Sequence, residues 1–449
     1  IAMKLPKEVK FILETLEERG YEAFVVGGAV RDSLLGIKPL DYDLTTDALP
    51  DEIVAIFKRK VDHIYKIGKD FGTISLVIKG KIIEVTTYRI ESEYLDYRRP
   101  EKVEFSKKLV DDLKRRDFTI NALCFNKDYI DLVGGLKDLK KKQIRAIGDP
   151  NLRFTEDALR ILRAIRFASK LGFEIEEETK KALFENKALL NKIAIERVQE
   201  EFNKILVSKN ASKYLEEYFE IFTVFIPEIE VFKGYDQSNP HHQDDLLIHS
   251  LKVVNLVPND LVLRLAALFH DLGKPKTRKM DDGIARYLGH ARVGADYASL
   301  ILKRMKYPNQ VIKDVLVLIE RHMIRLEVAN LKRLISKIGL VNTKRLIYLL
   351  RADKLSLGRD VSFLDRKLEE VEKLEKEEAI ISLKELKIDG NDLIKLGFKG
   401  KEIGKALDFL FSAYLGNKVE NDKEKLIKYL GDAYGQKRKE KKSISKKGW

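Results

Sequence analysis

The stretch that most restricts what this chain can fold into is residues 22–46, EAFVVGGAVRDSLLGIKPLDYDLTT. Phe24-Val25-Val26 is a short, β-branched apolar run that predicts a buried strand. Gly27 and Gly28 follow at once, then AVRDSLLG, enough for one or two helical turns. Asp41 and Asp43 stand at i and i+2 and are expected on a second strand, where alternation points both carboxylates to one face. Two carboxylates held side by side repel unless a cation lies between them. Mg²⁺ takes oxygen ligands and usually keeps substrate phosphates in its shell. The glycines let backbone N–H groups approach a triphosphate at a turn before a helix. The stretch therefore predicts metal-assisted nucleotidyl transfer.

The combination GG-x-VRD-x-LLG-(x)4-D-x-D resembles the head motif of the class II tRNA nucleotidyltransferase and poly(A) polymerase family, which includes the bacterial CCA-adding enzymes. The resemblance implies that Gly27, Gly28 and Arg31 bind nucleotide and that Asp41 and Asp43 are catalytic and hold two Mg²⁺ ions. It also nominates Glu84 as a third carboxylate, on the second strand of a hairpin expected over 69–89 with Lys79-Gly80 at the turn.

Further along the head, 90–113 mixes charges with aromatics without clean periodicity and reads as a mobile loop. RRDFTINALCFN follows at 115–126. Arg115 and Arg116 offer guanidinium forks to phosphate oxygens, Asp117 can accept from a ribose hydroxyl, and Asn121 can bond either. RRDFTINA is similar to the family's second motif, which implies that Asp117 reads the ribose 2′-OH. In RFTEDALRILRAIRFASKLGF (153–173), Thr155 is expected to cap a helix on which Asp157 and Arg160 are neighbours at i and i+3. Adenine and cytosine each present an amino donor beside a ring-nitrogen acceptor, and an Asp–Arg pair presents the complement. Guanine and uracil would leave polar groups unpaired, at about 1–3 kcal/mol each. EDALR resembles the family's templating motif, with Glu156 an orienting residue.

Six of the seven histidines fall between 241 and 322. His249, the doublet His270-Asp271, His290, His322 and Asp353 form a pattern that resembles the HD phosphohydrolase domain. The resemblance implies a divalent metal on His249, His270, Asp271 and Asp353, and a second, weaker site at His290 and His322. Residues 385–417 are similar to the tail of HD-containing CCA-adding enzymes, which nominates Lys399, Lys401 and Lys405 as RNA contacts. The net charge of +14 on a chain that is 35% charged also points to a polyanion. The single cysteine, Cys124, excludes an intramolecular disulfide and a cysteine zinc site, and fits a reducing cytoplasm. No apolar run approaches 18 residues and no signal peptide is read, so no membrane role is expected.

The expected architecture is an α/β nucleotidyltransferase head with a mixed, five-stranded-type sheet (1–150), then an all-α neck that reads the base (151–232), an HD body (233–360), a helical tRNA-binding tail (361–434) and a basic disordered end (435–449). The implied activity is template-independent addition of CCA, from CTP and ATP, to the 3′ end of tRNA. The alternatives are a poly(A) or A-only adding enzyme with the same head and, from another class, an HD-type phosphohydrolase acting on RNA ends.

Overall fold

The computed structural model describes residues 2–95, 99–377 and 382–445. The chain divides into two units: Ile1–Val231 with Arg304–Tyr307, and Phe232–Lys303 with Pro308–Trp449.

The first unit is built on one mixed sheet. Its strands are β1 (Ala23–Val26), β2 (Asp43–Thr46), β3 (His63–Tyr65), β4 (Thr73–Ile78), β5 (Lys81–Thr87) and, beyond the hairpin strands β6 (Arg89–Leu95) and β7 (Arg99–Phe105), β8 (Cys124–Asn126) and β9 (Asp128–Ile130). The sheet order is β3-β4-β5-β2-β1-β8-β9, with β2 and β5 the parallel neighbours. It has seven strands, where five were expected. Several of its strands are only three or four residues long, too short to register as periodicity. Lys79 and Gly80 both take positive φ, the geometry of a tight two-residue hairpin turn. The amphipathic helix Lys7–Glu18 lays Val9, Ile12, Leu13 and Leu16 into the core.

The described residues of the segment expected as a mobile loop are largely strand and helix. β6 and β7 pair antiparallel in a sheet of their own, with Arg89 opposite Phe105 and Glu91 opposite Val103, and the helix Leu109–Lys114 follows. Its main-chain ladder is invisible to a reading that looks for one apolar face; residues 96–98 lie outside the described residues.

The neck is helical but not all-α, because Glu174–Ile175 pairs in parallel with Gln143–Ile144. Thr155 is not a cap. Asp149 caps Asn151 N–H ahead of Pro150, whose fixed φ suits the first helical turn, and the helix Pro150–Glu156 ends at extended Asp157. A second helix, Arg160–Leu171, then begins. Asp157 and Arg160 thus flank a helix break rather than share one helix face.

In the second unit, the helices Leu246–Leu256, Leu261–Phe269, His290–Arg304, Asn309–Arg321 and Leu340–Ser356 carry the histidine region, with a small hairpin of Lys279–Asp281 and Ile284–Arg286 that an all-α body did not anticipate. A separate core of Leu393, Ala406, Leu410, Tyr414, Leu426 and Leu430 holds the tail helices together. The end expected to be disordered continues as one helix, Lys423–Ser445; residues 446–449 lie outside the described residues. No helix among the described residues is long and apolar enough to cross a membrane.

Candidate active site

Asp43 opens β2, and its register partner on the parallel strand β5 is Glu84. Directly paired residues on neighbouring strands face the same side of a sheet. Asp41 lies two residues ahead of the strand rather than on it. All three carboxylates are solvent-accessible. Even so, the protein around Asp43 strips enough water to raise its carboxyl, Arg116 draws it down, and Asp41 raises it further. Glu84 is likewise raised, by lost hydration first and then by Asp43 and Asp41. Mutual repulsion among hard oxygen donors is the electrostatic signature of a divalent-cation site.

Gly27 takes φ +85 between β1 and the helix Gly28–Leu34, and a Cβ there would stand 3.8 Å from Arg116 Nη1. Arg116 therefore faces the glycine turn and the carboxylates together. Its other partner is Asp112, fully buried, which takes Arg116 Nη2 at 3.3 Å and Arg115 Nε at 3.0 Å and accepts from Thr45 Oγ1. The structure separates the two arginines: Arg115 also reaches Glu91 at 3.5 Å, and burial pulls its guanidinium down to about 10.

Arg31, 3% exposed, donates through Nη1 to Asn121 Oδ1 at 2.6 Å, and Asn121 donates to Asp117 Oδ1 at 3.3 Å. Arg163 closes this chain on Asp117 Oδ2 through Nε at 2.9 Å and Nη2 at 2.6 Å. Burial opposes the Asp117 charge, but Arg163 and Arg160 hold its carboxyl down to about 2. Phe167 is ringed by the guanidiniums of Arg31, Arg163 and Arg166, 4.4–5.2 Å from its centroid.

Arg160 donates to Glu156 Oε2 at 2.8 Å and to the Arg115 carbonyl at 3.3 Å, so Glu156 orients Arg160 rather than Asp157. Asp157 accepts from Leu159 N–H through Oδ1 and pairs with Arg197 through Oδ2 at 3.5 Å.

In the second unit, ligand atoms of His249, His270, Asp271 and Asp353 lie within 4.8 Å of one another, as do those of Asp271, His290 and His322. Asp271 belongs to both sets, with Oδ2 3.3 Å from His249 and Oδ1 3.3 Å from His290. Nδ1 of His270, His290 and His322 lies 2.6–2.8 Å from the carbonyls of Ala267, Tyr287 and Ile319. A carbonyl can only accept, so each Nδ1 carries a proton and each Nε2 lone pair is directed to the other side of the ring, toward the shared aspartate. The Nε2 atoms meet at 3.0 Å (His290 and His322) and 3.3 Å (His249 and His270). Lone pairs so opposed require a proton or a metal ion between them. Against the pull of burial, Asp271 and Asp353 raise His270 to about 10.

Residues 23–145 match the Poly A polymerase head domain, 172–233 the probable RNA and SrmB-binding site of polymerase A, and 278–430 the putative domain 2 of tRNA nucleotidyltransferase. The CCA-adding enzyme of Bacillus subtilis is 34% identical over 424 residues, 93% of this chain and 96% of that one. The chain belongs to the CCA-adding enzyme family. A second CCA-adding enzyme, from Levilactobacillus brevis, is 51% identical over 210 residues, covering 46% of this chain and 52% of that one. The solved CCA-adding enzyme of Bacillus stearothermophilus in complex with CTP is 28% identical with a TM-score of 0.72, over 98% of this chain and 100% of that one.

Within this CCA-adding family member, the sequence reading missed Asp112 and Arg163. Asp112 was legible, since it precedes Arg115 and Arg116 by three and four residues. Arg163 is one helical turn beyond Arg160, but its partner Asp117 is 46 residues away. Lys399, Lys401 and Lys405 lie exposed around the start of the helix Lys401–Leu415.

Proposed function

We propose that this chain adds CCA, from CTP and ATP, to the 3′ end of tRNA without a nucleic-acid template, in the cytoplasm. The observation that carries this reading is the pairing of Asp43 with Glu84, beside Asp41 and Arg116 at the Gly27 turn, in a chain of the CCA-adding family. Asp41 and Asp43 are hard oxygen donors and fit two Mg²⁺ ions, with Glu84 at their side. When bound, such ions activate the attacking 3′-OH and neutralise the leaving pyrophosphate. Arg116 adds fixed positive charge where the phosphates arrive. Asp117, held by Arg163 and Asn121, offers an ionised acceptor toward the ribose. Asp157 and Arg160 present the complement to cytosine and adenine, each steadied by a neighbour, Arg197 and Glu156. Exposed Lys399, Lys401 and Lys405 are phosphate contacts for tRNA.

The test uses tRNA ending in -N, -NC and -NCC with labelled nucleotides, and sequences the products. Completion of all three to CCA is expected; A-only extension or long A-tracts would replace this reading by the A-adding or poly(A) alternative. Arg160→Ala and Asp157→Ala are expected to raise misincorporation of UTP and GTP as well as slow addition. Loss of rate with selectivity intact would show that the pair does not read the base.

A second reading applies to the second unit. The set of His249, His270, Asp271 and Asp353, with His270 Nε2 directed inward because Nδ1 is held by a carbonyl, fits a divalent metal site. The matching activity is hydrolysis of a phosphate ester such as a 2′,3′-cyclic phosphate that blocks a tRNA end. Wild-type protein inert toward a 2′,3′-cyclic nucleotide under Ni²⁺, Mn²⁺ and Mg²⁺, or activity surviving Asp271→Ala, would return the cluster to a structural role.

A further inference from the structure

One buried carboxylate of the first unit takes no part in the transfer proposed above. Asp112, in the helix Leu109–Lys114, is 0% exposed, and both of its oxygens are engaged. Oδ1 accepts from Arg115 Nε at 3.0 Å and from the Arg89 N–H at 3.4 Å. Oδ2 accepts from Thr45 Oγ1 at 3.0 Å and from Arg116 Nη2 at 3.3 Å. Burial opposes the Asp112 charge, but Arg115 and Arg116 hold its carboxyl below the ordinary value. Thr45 stands two residues past Asp43 on β2, so its hydroxyl ties Asp112 to the strand that opens with a proposed metal ligand.

Arg116 is a cation with a choice of anions. Its Nε is buried without a hydrogen-bond partner and its Nη1 faces the Gly27 turn, so the contact with Asp112 is what fixes the guanidinium. Asp43 lies within its field, since Arg116 draws that carboxyl down. A guanidinium forks readily onto a carboxylate, and one seated on Asp43 would take the oxygens that a divalent cation needs. Breaking a buried ion pair leaves the remaining charge in want of a partner. With Asp112 neutral, Asp43 becomes that partner.

We propose that Asp112 is a positioning residue that holds Arg116 off Asp43, which keeps the carboxylate cluster open to a divalent cation and Arg116 Nη1 free for the incoming triphosphate. The proposal rests on the metal reading of Asp41 and Asp43 and adds the residue that stops a neighbouring cation from competing for them.

The test measures Mn²⁺ binding to the full chain by electron paramagnetic resonance, in the presence of a CTP analogue whose α,β linkage cannot be cleaved. The histidine cluster contributes equally in every variant, so only the differences are read. Asp112→Asn keeps the shape and removes the charge, and is expected to weaken Mn²⁺ binding roughly tenfold, while Asp112→Glu keeps most of the affinity. Adding Arg116→Met to Asp112→Asn is expected to bring Mn²⁺ affinity to within twofold of Arg116→Met alone, a reversal that loss of packing does not produce. If Asp112→Asn does not fold by itself, this last comparison decides. Mn²⁺ affinity of Asp112→Asn within twofold of wild type, or a double variant more than twofold weaker than Arg116→Met, overturns the positioning role and leaves the metal reading standing. Asp43→Ala with Mn²⁺ binding unchanged overturns the metal reading and the positioning role with it.

Discussion

Asp117 shows what one side chain can do to the pH response of the first unit. Its carboxyl is lowered from 3.8 to about 2, by Arg163 and Arg160 against the opposing effect of burial. A carboxylate depressed in the folded state stabilises it fully above the unfolded value and loses that contribution as pH falls through the folded one. The stability contributed is on the order of 2 kcal/mol, present above about pH 4 and gone near pH 2. Arg163→Met is expected to flatten the rise of stability over that window, read from urea midpoints at stepped pH; an unchanged slope would mean that Asp117 is held by something else. On the proposed metal reading, Asp43→Ala and Asp41→Ala are expected to cost roughly 10²-fold or more in nucleotide addition with tRNA binding retained, since each removes an oxygen donor from the carboxylate cluster. Incorporation within tenfold of wild type would sink the metal assignment.

At the scale of elements, one glycine marks an approach that no other residue permits. A Cβ on Gly273 would fall 2.1 Å from the His290 carbonyl and 2.6 Å from Gly294 N, both backbone atoms that cannot swing aside. Gly273→Ala is therefore expected to destabilise the second unit by about 2 kcal/mol or more, because His290 must shift with its helix. A thermal midpoint within a degree of wild type would show that the helices part more easily than packing implies. Much of this layer was legible. The Phe24–Val26 strand, the Lys79-Gly80 turn and the amphipathic first helix follow from period and turn chemistry. The convergence of His249, His270, Asp271 and Asp353 followed from residue type and family resemblance. The rest depended on partners distant in sequence. The β6–β7 ladder has no apolar face to advertise it. The break at Asp157 is set by Pro150 and its Asp149 cap, which start the preceding helix early. Arg163 gains its meaning from Asp117, dozens of positions away.

Over the whole molecule, the +14 charge predicts that tRNA binding weakens steeply with salt. The log–log slope should be about −0.7 to −0.9 for each phosphate engaged. Removing 436–449, a basic segment, should reduce nonspecific affinity more than the choice of tRNA. An affinity that stays flat between low and physiological salt would contradict the electrostatic reading. The assignment of Arg304–Tyr307 to the first unit has a practical consequence for anyone who cuts this protein apart. Arg304 grips Glu228 with both terminal nitrogens at 2.6–2.7 Å, Lys306 pairs with Glu196 at 2.7 Å, and Tyr307 donates to Asn203 at 2.5 Å. Gln199 reaches back to the Met305 carbonyl at 2.8 Å. A fragment ending at residue 231 forfeits this four-residue clasp and uncovers the surface that Met305 and Tyr307 bury. The complementary fragment inherits the same residues as an orphaned, partly greasy loop. Protease nicking at the apparent boundary should accordingly leave a protein that still migrates as one particle, its halves parting only after denaturant releases the clasp.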